Sequence, residues 1–245
     1  MRTPHEWLAI TEHRPFPLPE GRWKYYQQWN NALFLHWKVE EACLRHLIPP
    51  QLNIHKVDGD AYVSMVAFRM EQIRPRGLPA LRWISDFDEL NIRTYVEKGG
   101  KTGVYFLRIE AAKAQSVWVA NRLSGLPYQQ AAFTVSGSCY VVENRAKGSF
   151  VRADFQVGKR LAHKGTLDQG LTERYCLFLE QNRQLYRYDI HHREWPVHEA
   201  TLTGLALDYP LGPLRLSGTP DLVRYSPGVE VLAWPRVHLE GECAC

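Results

Sequence analysis

The chain predicts an α+β fold, mainly antiparallel β with a few short helices, and three observations lead there. Stretches rich in Val, Tyr, Phe and Leu recur between Gly, Asn and Pro punctuation, the pattern of many short strands. Helical patterns are few and short. A Gly99-Gly100 pair separates two alternating segments, the signal of a tight hairpin. Many strands with few helices argue an antiparallel sheet or barrel. At 245 residues and 45% hydrophobic the chain can bury a sizeable core. With no repeat or low-complexity linker to divide it, it reads as a single domain, 1–245.

Residues 1–28 carry Pro15, Pro17 and Pro19, which exclude regular helix and central strand, so this segment reads as an extended strap over the surface. Asn31 to Lys38 reads as a strand. Val39 to Ile48 reads as a short helix, with Glu40 and Glu41 at its positive end and Pro49-Pro50 as its stop. Ala61 to Met70, after the Asp58-Gly59 turn, is apolar on both faces and predicts a central strand. Ala114 to Ser124 predicts a helix that Gly125 ends and Pro127 keeps from continuing. Further strands are expected over Ala131 to Asn144, Phe150 to Phe155, Arg174 to Leu179, Leu185 to His191 and Val229 to Trp234, with a second hairpin loop at Glu180 to Gln184. Residues 236–245 read as a flexible tail.

The turn fixes the hairpin register. A two-residue turn at Gly99-Gly100 sets Lys98 opposite Lys101, Val96 opposite Gly103 and Ile92 opposite Leu107. One face then holds Leu90, Ile92, Thr94 and Val96 with Tyr105, Leu107 and Ile109, and is expected to be buried. The other holds Glu89, Asn91, Arg93 and Tyr95 with Val104, Phe106, Arg108 and Glu110. The strand period of two means that a slip of one residue mixes the faces.

Composition excludes several function classes. A net charge of +4 with no Lys/Arg block is short of a nucleic-acid signature. No run approaches the length of a membrane span and the N-terminus lacks an apolar signal core, so neither nucleic acid nor membrane is an expected partner, and the expected location is cytoplasmic. Of the five cysteines, Cys43, Cys139 and Cys176 sit in apolar patterns and read as small buried hydrophobes of a reducing compartment. Cys243 and Cys245 form a C-x-C end that reads as inert. His191 and His192 are neighbours on a strand and point to opposite faces. With His36 and His198 they form no tight cluster, so packed histidines are expected rather than a metal site. Arg69, Arg74, Arg76 and Arg82 flank a Pro-Gly loop and read as solvated charges, with a phosphate-bearing ligand as the alternative. No P-loop, GxGxxG or Ser-His-Asp motif stands in recognisable context, and no cofactor is expected.

In order along the chain, FLHW, AYVSMVAFRM, RPRGLP, ELNIRTYV, GVYFL, LPYQQA, LTERYCLF, IHHREWP and VEVLAWP resemble the YqjF-like bacterial proteins, a domain of unknown function. The resemblance runs from about Trp29 to Pro235. That family is similar to acetoacetate decarboxylase, which implies a cone-shaped antiparallel barrel around a pocket. In the decarboxylase a lysine pair follows a Gly-x-Pro turn after a helix, and one lysine forms a Schiff base. Here the turn is Gly125-Leu126-Pro127, and the lysine positions hold Tyr128 and Gln129, neither of which forms an imine. Schiff-base decarboxylation is therefore not expected, and Lys113 and Lys147 lie elsewhere in the sequence.

A carboxylate-based site remains. The resemblance sets Glu89 near a pocket glutamate of the decarboxylases, on one face with Arg93 and Tyr95. These three are the candidate catalytic residues: a buried carboxyl as general acid or base, with arginine holding an anionic group. Arg108, opposite Asn91 in the proposed register, joins Tyr128 and Gln129 as candidate ligand-binding residues. The competing reading turns this polar face to solvent, as amphipathic hairpins commonly do. Two function classes follow: an enzyme acting by acid/base chemistry on a small carbonyl or carboxylate compound, and a non-catalytic barrel binding a small organic ligand or a protein. Self-association into a homo-oligomer is compatible with both.

Overall fold

A computed structural model describes residues 7–239. In chain order it holds β1 (Tyr25–Val39), α1 (Glu41–Arg45), β2 (Asn53–Ile54), β3 (Ala61–Pro75), α2 (Arg82–Ser85), β4 (Phe87–Lys98), β5 (Lys101–Ala111) and α3 (Ala114–Ser124). Then follow β6 (Tyr128–Gln130), β7 (Ala132–Ser136), β8 (Cys139–Asn144), β9 (Ser149–Arg160), α4 (Thr166–Thr172), β10 (Cys176–Gln181) and β11 (Gln184–His192). The last elements are β12 (His198–Leu211), β13 (Leu214–Leu216), β14 (Leu222–Ala233) and β15 (Val237–Leu239).

The strands form one sheet, and part of it closes on itself. Neighbours run β11-β10-β5-β4-β3-β1-β14, and β11 also pairs with β14 through Ile190↔Ala233, His191↔Leu232 and His192↔Val231, so these seven strands make a ring. Among the ring pairings only β10 with β5 is parallel. From β14 the sheet continues through β12, β9, β8 and β7. These outer strands cover one wall of the ring: Leu35, Met65, Leu90 and Ile92 pack with Tyr140, Val142, Val151 and Phe155 in a shared core. The Leu90 face of the hairpin is thus buried, as expected. A second apolar cluster, including Phe34, Phe68, Met70, Phe87, Trp195 and Val231, lies inside the ring.

Two bulges set which side chains of β1 and β5 point inward. In β1, Asn31 and Ala32 stand against Phe68 alone, and Asn31 adopts a φ of 54°. Gln27 and Trp29 face the interior before this bulge and Phe34 after it. A bulge shifts inward parity by one because it inserts one residue into a period of two. The second lies in β5. From Lys98↔Lys101 to Arg93↔Phe106 the pairing follows the expected register, and then Ile92 pairs with Arg108 rather than Leu107. Leu107 is the extra residue, and every later side chain of β5 changes face. Ile109 and Ala111 therefore join Asn91 and Glu89, while Arg108 and Glu110 join Ile92 and Leu90. No glycine or proline marks the position, so the sequence carries no local sign of it.

Other expectations change at their edges. The helix expected over Val39 to Ile48 narrows to Glu41–Arg45, because Val39 still pairs with Ala61 at the end of β1. The strap ends before Tyr25, where β1 begins, and its part before residue 7 lies outside the described residues. Within the tail, Val237–Leu239 pairs with β11 as β15; residues 240–245, with Cys243 and Cys245, lie outside the described residues. Cys176 is buried, but Cys43 and Cys139 are only half-buried. The second hairpin has a two-residue loop, Asn182-Arg183, with both φ angles positive, closed by Gln181↔Gln184.

Candidate functional site

The ring encloses a cavity of about 370 Å³. Its walls are chiefly apolar, with Phe34, Phe68, Met70, Phe106 and Trp195 among them, and a few polar groups converge on it: Glu89, Asn91, Arg93, Tyr128, Arg174 and His192. That mixture is typical of small-molecule sites. The mouth lies beneath α2 and α3, where Leu78, Leu81 and Leu123 line the cavity while remaining 58%, 54% and 59% exposed. Ser116 Oγ donates to Ile84 O at 2.7 Å and ties the two helices together.

Strand alternation places the central carboxyl. Glu89, Asn91 and Arg93 are same-face residues of β4, about 7 Å apart at each step. All three are buried and line the cavity. The polar side of the hairpin thus faces the ring interior, not solvent. Asn91 Nδ2 donates to Glu89 Oε1 at 3.3 Å, and Tyr128 Oη donates to Oε2 at 3.0 Å. Burial raises the Glu89 pKa from 4.5 to about 7, although both hydrogen bonds work against the rise. Burial likewise drives the Tyr128 hydroxyl well above its ordinary value, with the Glu89 charge adding to the effect. The pair behaves as a neutral phenol donating to a carboxyl that changes protonation near neutrality.

Tyr128 reaches Glu89 because of the turn that precedes it. Gly125 ends α3 in the left-handed conformation, at φ 71°, and its N–H donates to Asn121 O. The Asn121 side chain accepts from Tyr128 N at 2.8 Å and donates to Tyr128 O at 3.1 Å. β6 then runs parallel to β5 with Tyr128 beside Ile109 and Gln129 beside Glu110. One residue therefore faces the cavity and the next faces away.

The other candidates part company here. Tyr95 lies on the Glu89 face but is fully buried and does not line the cavity; its hydroxyl donates to Leu171 O at 2.8 Å and contacts Ser64 Oγ at 2.6 Å. Arg108, carried across by the bulge, donates to Pro210 O and lies over the Tyr209 ring on the outer wall. The second cation expected near Glu89 is therefore not Arg108. Gln129 is on that outer side with Glu110, and neither lines the cavity.

Arg174 and His192 are site residues that the sequence pattern does not assign to a pocket. Arg174 sits where α4 passes into β10, and its place in the cavity depends on the β10–β5 pairing, for which the sequence has no local signal. Burial, opposed by Tyr95 and aided by the nearby Arg93 charge, brings its pKa down to about 10. His192 closes the ring at the β11–β14 pairing; Nδ1 meets Arg193 O at 2.7 Å and Nε2 meets Arg174 O at 3.2 Å. Burial holds its pKa below the ordinary value while Glu173 opposes that shift. His191, on the opposite face, stacks on Trp7. Among the described residues no cluster of three or more His, Cys, Asp or Glu is placed to hold a metal ion. No lysine among them lines the cavity.

A family model, DUF2071, described as an uncharacterized conserved protein, matches residues 26–230. An uncharacterized protein of Bacillus subtilis (strain 168), YqjF, is 33% identical over 233 residues, 91% of this chain and 96% of that one. Among solved structures, acetoacetate decarboxylase from Legionella pneumophila superposes with a TM-score of 0.61 at 14% identity, covering 94% of this chain and 95% of that chain. The enduracididine biosynthesis enzyme MppR complexed with pyruvate gives 0.61 at 13% identity, covering 95% of each chain. At these identities the likeness establishes the fold, which is that of the acetoacetate decarboxylase-like proteins, and leaves the chemistry to the site itself.

Proposed function

We propose, for a chain that belongs to the DUF2071 family, that it binds a small carbonyl or carboxylate compound in the ring cavity and transforms it by acid/base chemistry at Glu89. The observation that supports this most is the buried Glu89 carboxyl facing the cavity, with its pKa brought to about 7 and a hydrogen bond from Tyr128. A carboxyl near neutrality populates both of its forms and can take a proton from carbon or oxygen and return it. Tyr128 occupies the position where the decarboxylase-like pattern carries lysine. Its phenol stabilises the Glu89 carboxylate and offers no amine for imine formation. Arg93 would hold a negative group of the ligand. A cytoplasmic location, with no nucleic-acid or membrane partner, belongs to the same proposal.

Proton abstraction next to a carbonyl is the reaction such a site can run without a cofactor. The test is exchange of the α-protons of 2-oxo and 3-oxo acids in D2O, followed by proton NMR with wild type and Glu89→Gln. Enzyme-dependent exchange that disappears in the variant supports the reading. Exchange that is equal in the two proteins, or absent across the panel, refutes it. The apolar walls favour a second reading, a non-catalytic carrier for the same class of ligand, and binding without exchange would select it.

A further inference from the structure

Arg93 and Arg174 are an uncommon pair. They are 7% and 6% exposed, both line the cavity, and among the described residues neither forms an ion pair with a carboxylate. The acidic groups of the neighbouring segment are already engaged: Asp168 with Arg224 at 2.7 Å, and Glu173 with Lys164, Tyr175 and Trp195 N. Each guanidinium gives one N–H to a carbonyl at the end of α4, Arg93 to Leu171 O and Arg174 to Gly170 O. Phe34 and Tyr95 lie under the two guanidinium groups. The Nε atoms of both arginines are buried without an acceptor. Two buried like charges with donors to spare lack one thing, an anion, and desolvating them without one is costly.

We propose that Arg93 and Arg174 form an anion subsite at the deep end of the cavity, and that the ligand is an amphipathic carboxylate whose apolar body extends toward the mouth under α3. The inference rests on the reading that the ring cavity holds a small ligand. β4 leaves α2 at Phe87, so Glu89, Asn91 and Arg93 lie progressively farther from the mouth. The anion therefore goes in first, past Glu89. The walls between subsite and mouth, Phe68, Met70, Phe87 and Phe106 among them, suit hydrocarbon.

The test is calorimetric titration of the full chain with acetate, octanoate and 1-octanol. Octanoate is expected to bind at least about ten-fold more tightly than 1-octanol and than acetate, since both the charge and the chain contribute. Octanol equal to octanoate, or no binding by any of them, would each overturn the proposal. In Arg93→Met and Arg174→Met octanoate should weaken by about ten-fold or more while octanol holds its affinity. The melting temperature of ligand-free Arg174→Met separates ligand binding from a structural role. Removing an uncompensated buried cation should leave it unchanged or raise it. A lowered melting temperature with octanoate affinity retained would show an arginine that serves α4 alone, and would overturn the proposal. If a variant fails to fold, the wild-type comparison of octanoate with octanol decides. These readouts are affinities, so loss of the octanoate preference sinks the anion subsite alone. An octanoate preference without Glu89-dependent deuterium exchange sinks the acid/base chemistry alone.

Discussion

Replacing Glu89 by glutamine should make the protein more stable above neutral pH and leave it nearly unchanged in mild acid. Glu89 has its folded-state pKa raised from 4.5 to about 7 by burial. Between those values the folded chain keeps a proton that the unfolded chain has released, so wild-type stability falls as pH rises through this window. Above about pH 7 the loss is complete. Each tenfold rise in proton affinity on folding corresponds to about 1.4 kcal/mol, so the loss approaches about 3 kcal/mol. Glutamine is neutral throughout and loses nothing. Its oxygen can accept from Tyr128, and its amide can donate to Asn91 Oδ1, which has no partner in the wild type. Urea unfolding of both proteins between about pH 5 and about pH 8.5 gives the difference directly, because other groups titrate equally in each. The variant should gain stability over wild type with increasing pH, with its half-point between the two pKa values. A difference that is flat with pH, or one that favours wild type above pH 7, would refute the reasoning.

Other changes follow from the same geometry. Tyr128→Phe removes a donor that favours the carboxylate, so the Glu89 midpoint should rise, by about one pH unit, in a titration of the variant. Gly103→Ala would set a Cβ 2.5 Å from Cys176 O and 2.6 Å from its Sγ, where β10 runs parallel to β5. The expected loss is about 1–3 kcal/mol by urea unfolding, and a neutral result would mean that the two strands are not this close. Borohydride reduction in the presence of acetoacetate or pyruvate should give no covalent adduct by mass spectrometry, since no lysine among the described residues lines the cavity. An adduct on a lysine facing the cavity would contradict the site as described.

The parts of the fold written in short-range chemistry are legible in the sequence. Gly99-Gly100 supplies two positive φ angles and fixes the β4–β5 turn; Gly125 and Pro127 end α3 at Ser124. What is not legible depends on pairings between distant segments. The bulge at Leu107 has no local marker, and it carries Arg108 and Glu110 across the sheet, so hand registration puts the wrong arginine near Glu89. β12 escapes a sequence reading although Leu205, Leu207, Tyr209 and Leu211 alternate, because a bulge between Leu202 and Gly204 breaks the period of two and Pro210 argues against a strand. β14 begins at Leu222, well before the expected Val229, because Pro227-Gly228 reads as a break; Gly228, at φ 132°, instead passes against Trp29 and Asn30. Glu89 is found from its face and from the family pattern. Arg174 and His192 come to the cavity only through the β10–β5 and β11–β14 pairings, which no local pattern announces.

The central claim is that the buried carboxyl facing this cavity titrates near neutrality, and its own titration tests that most directly. Carboxyl-carbon NMR of protein with isotopically labelled glutamate, with the Glu89 resonance assigned by its absence in Glu89→Gln, reports this proton alone. The expected midpoint lies near pH 7, as burial sets it, with an upward shift in Tyr128→Phe. A midpoint in the ordinary carboxylate range, unmoved by the Tyr128 substitution, would contradict it.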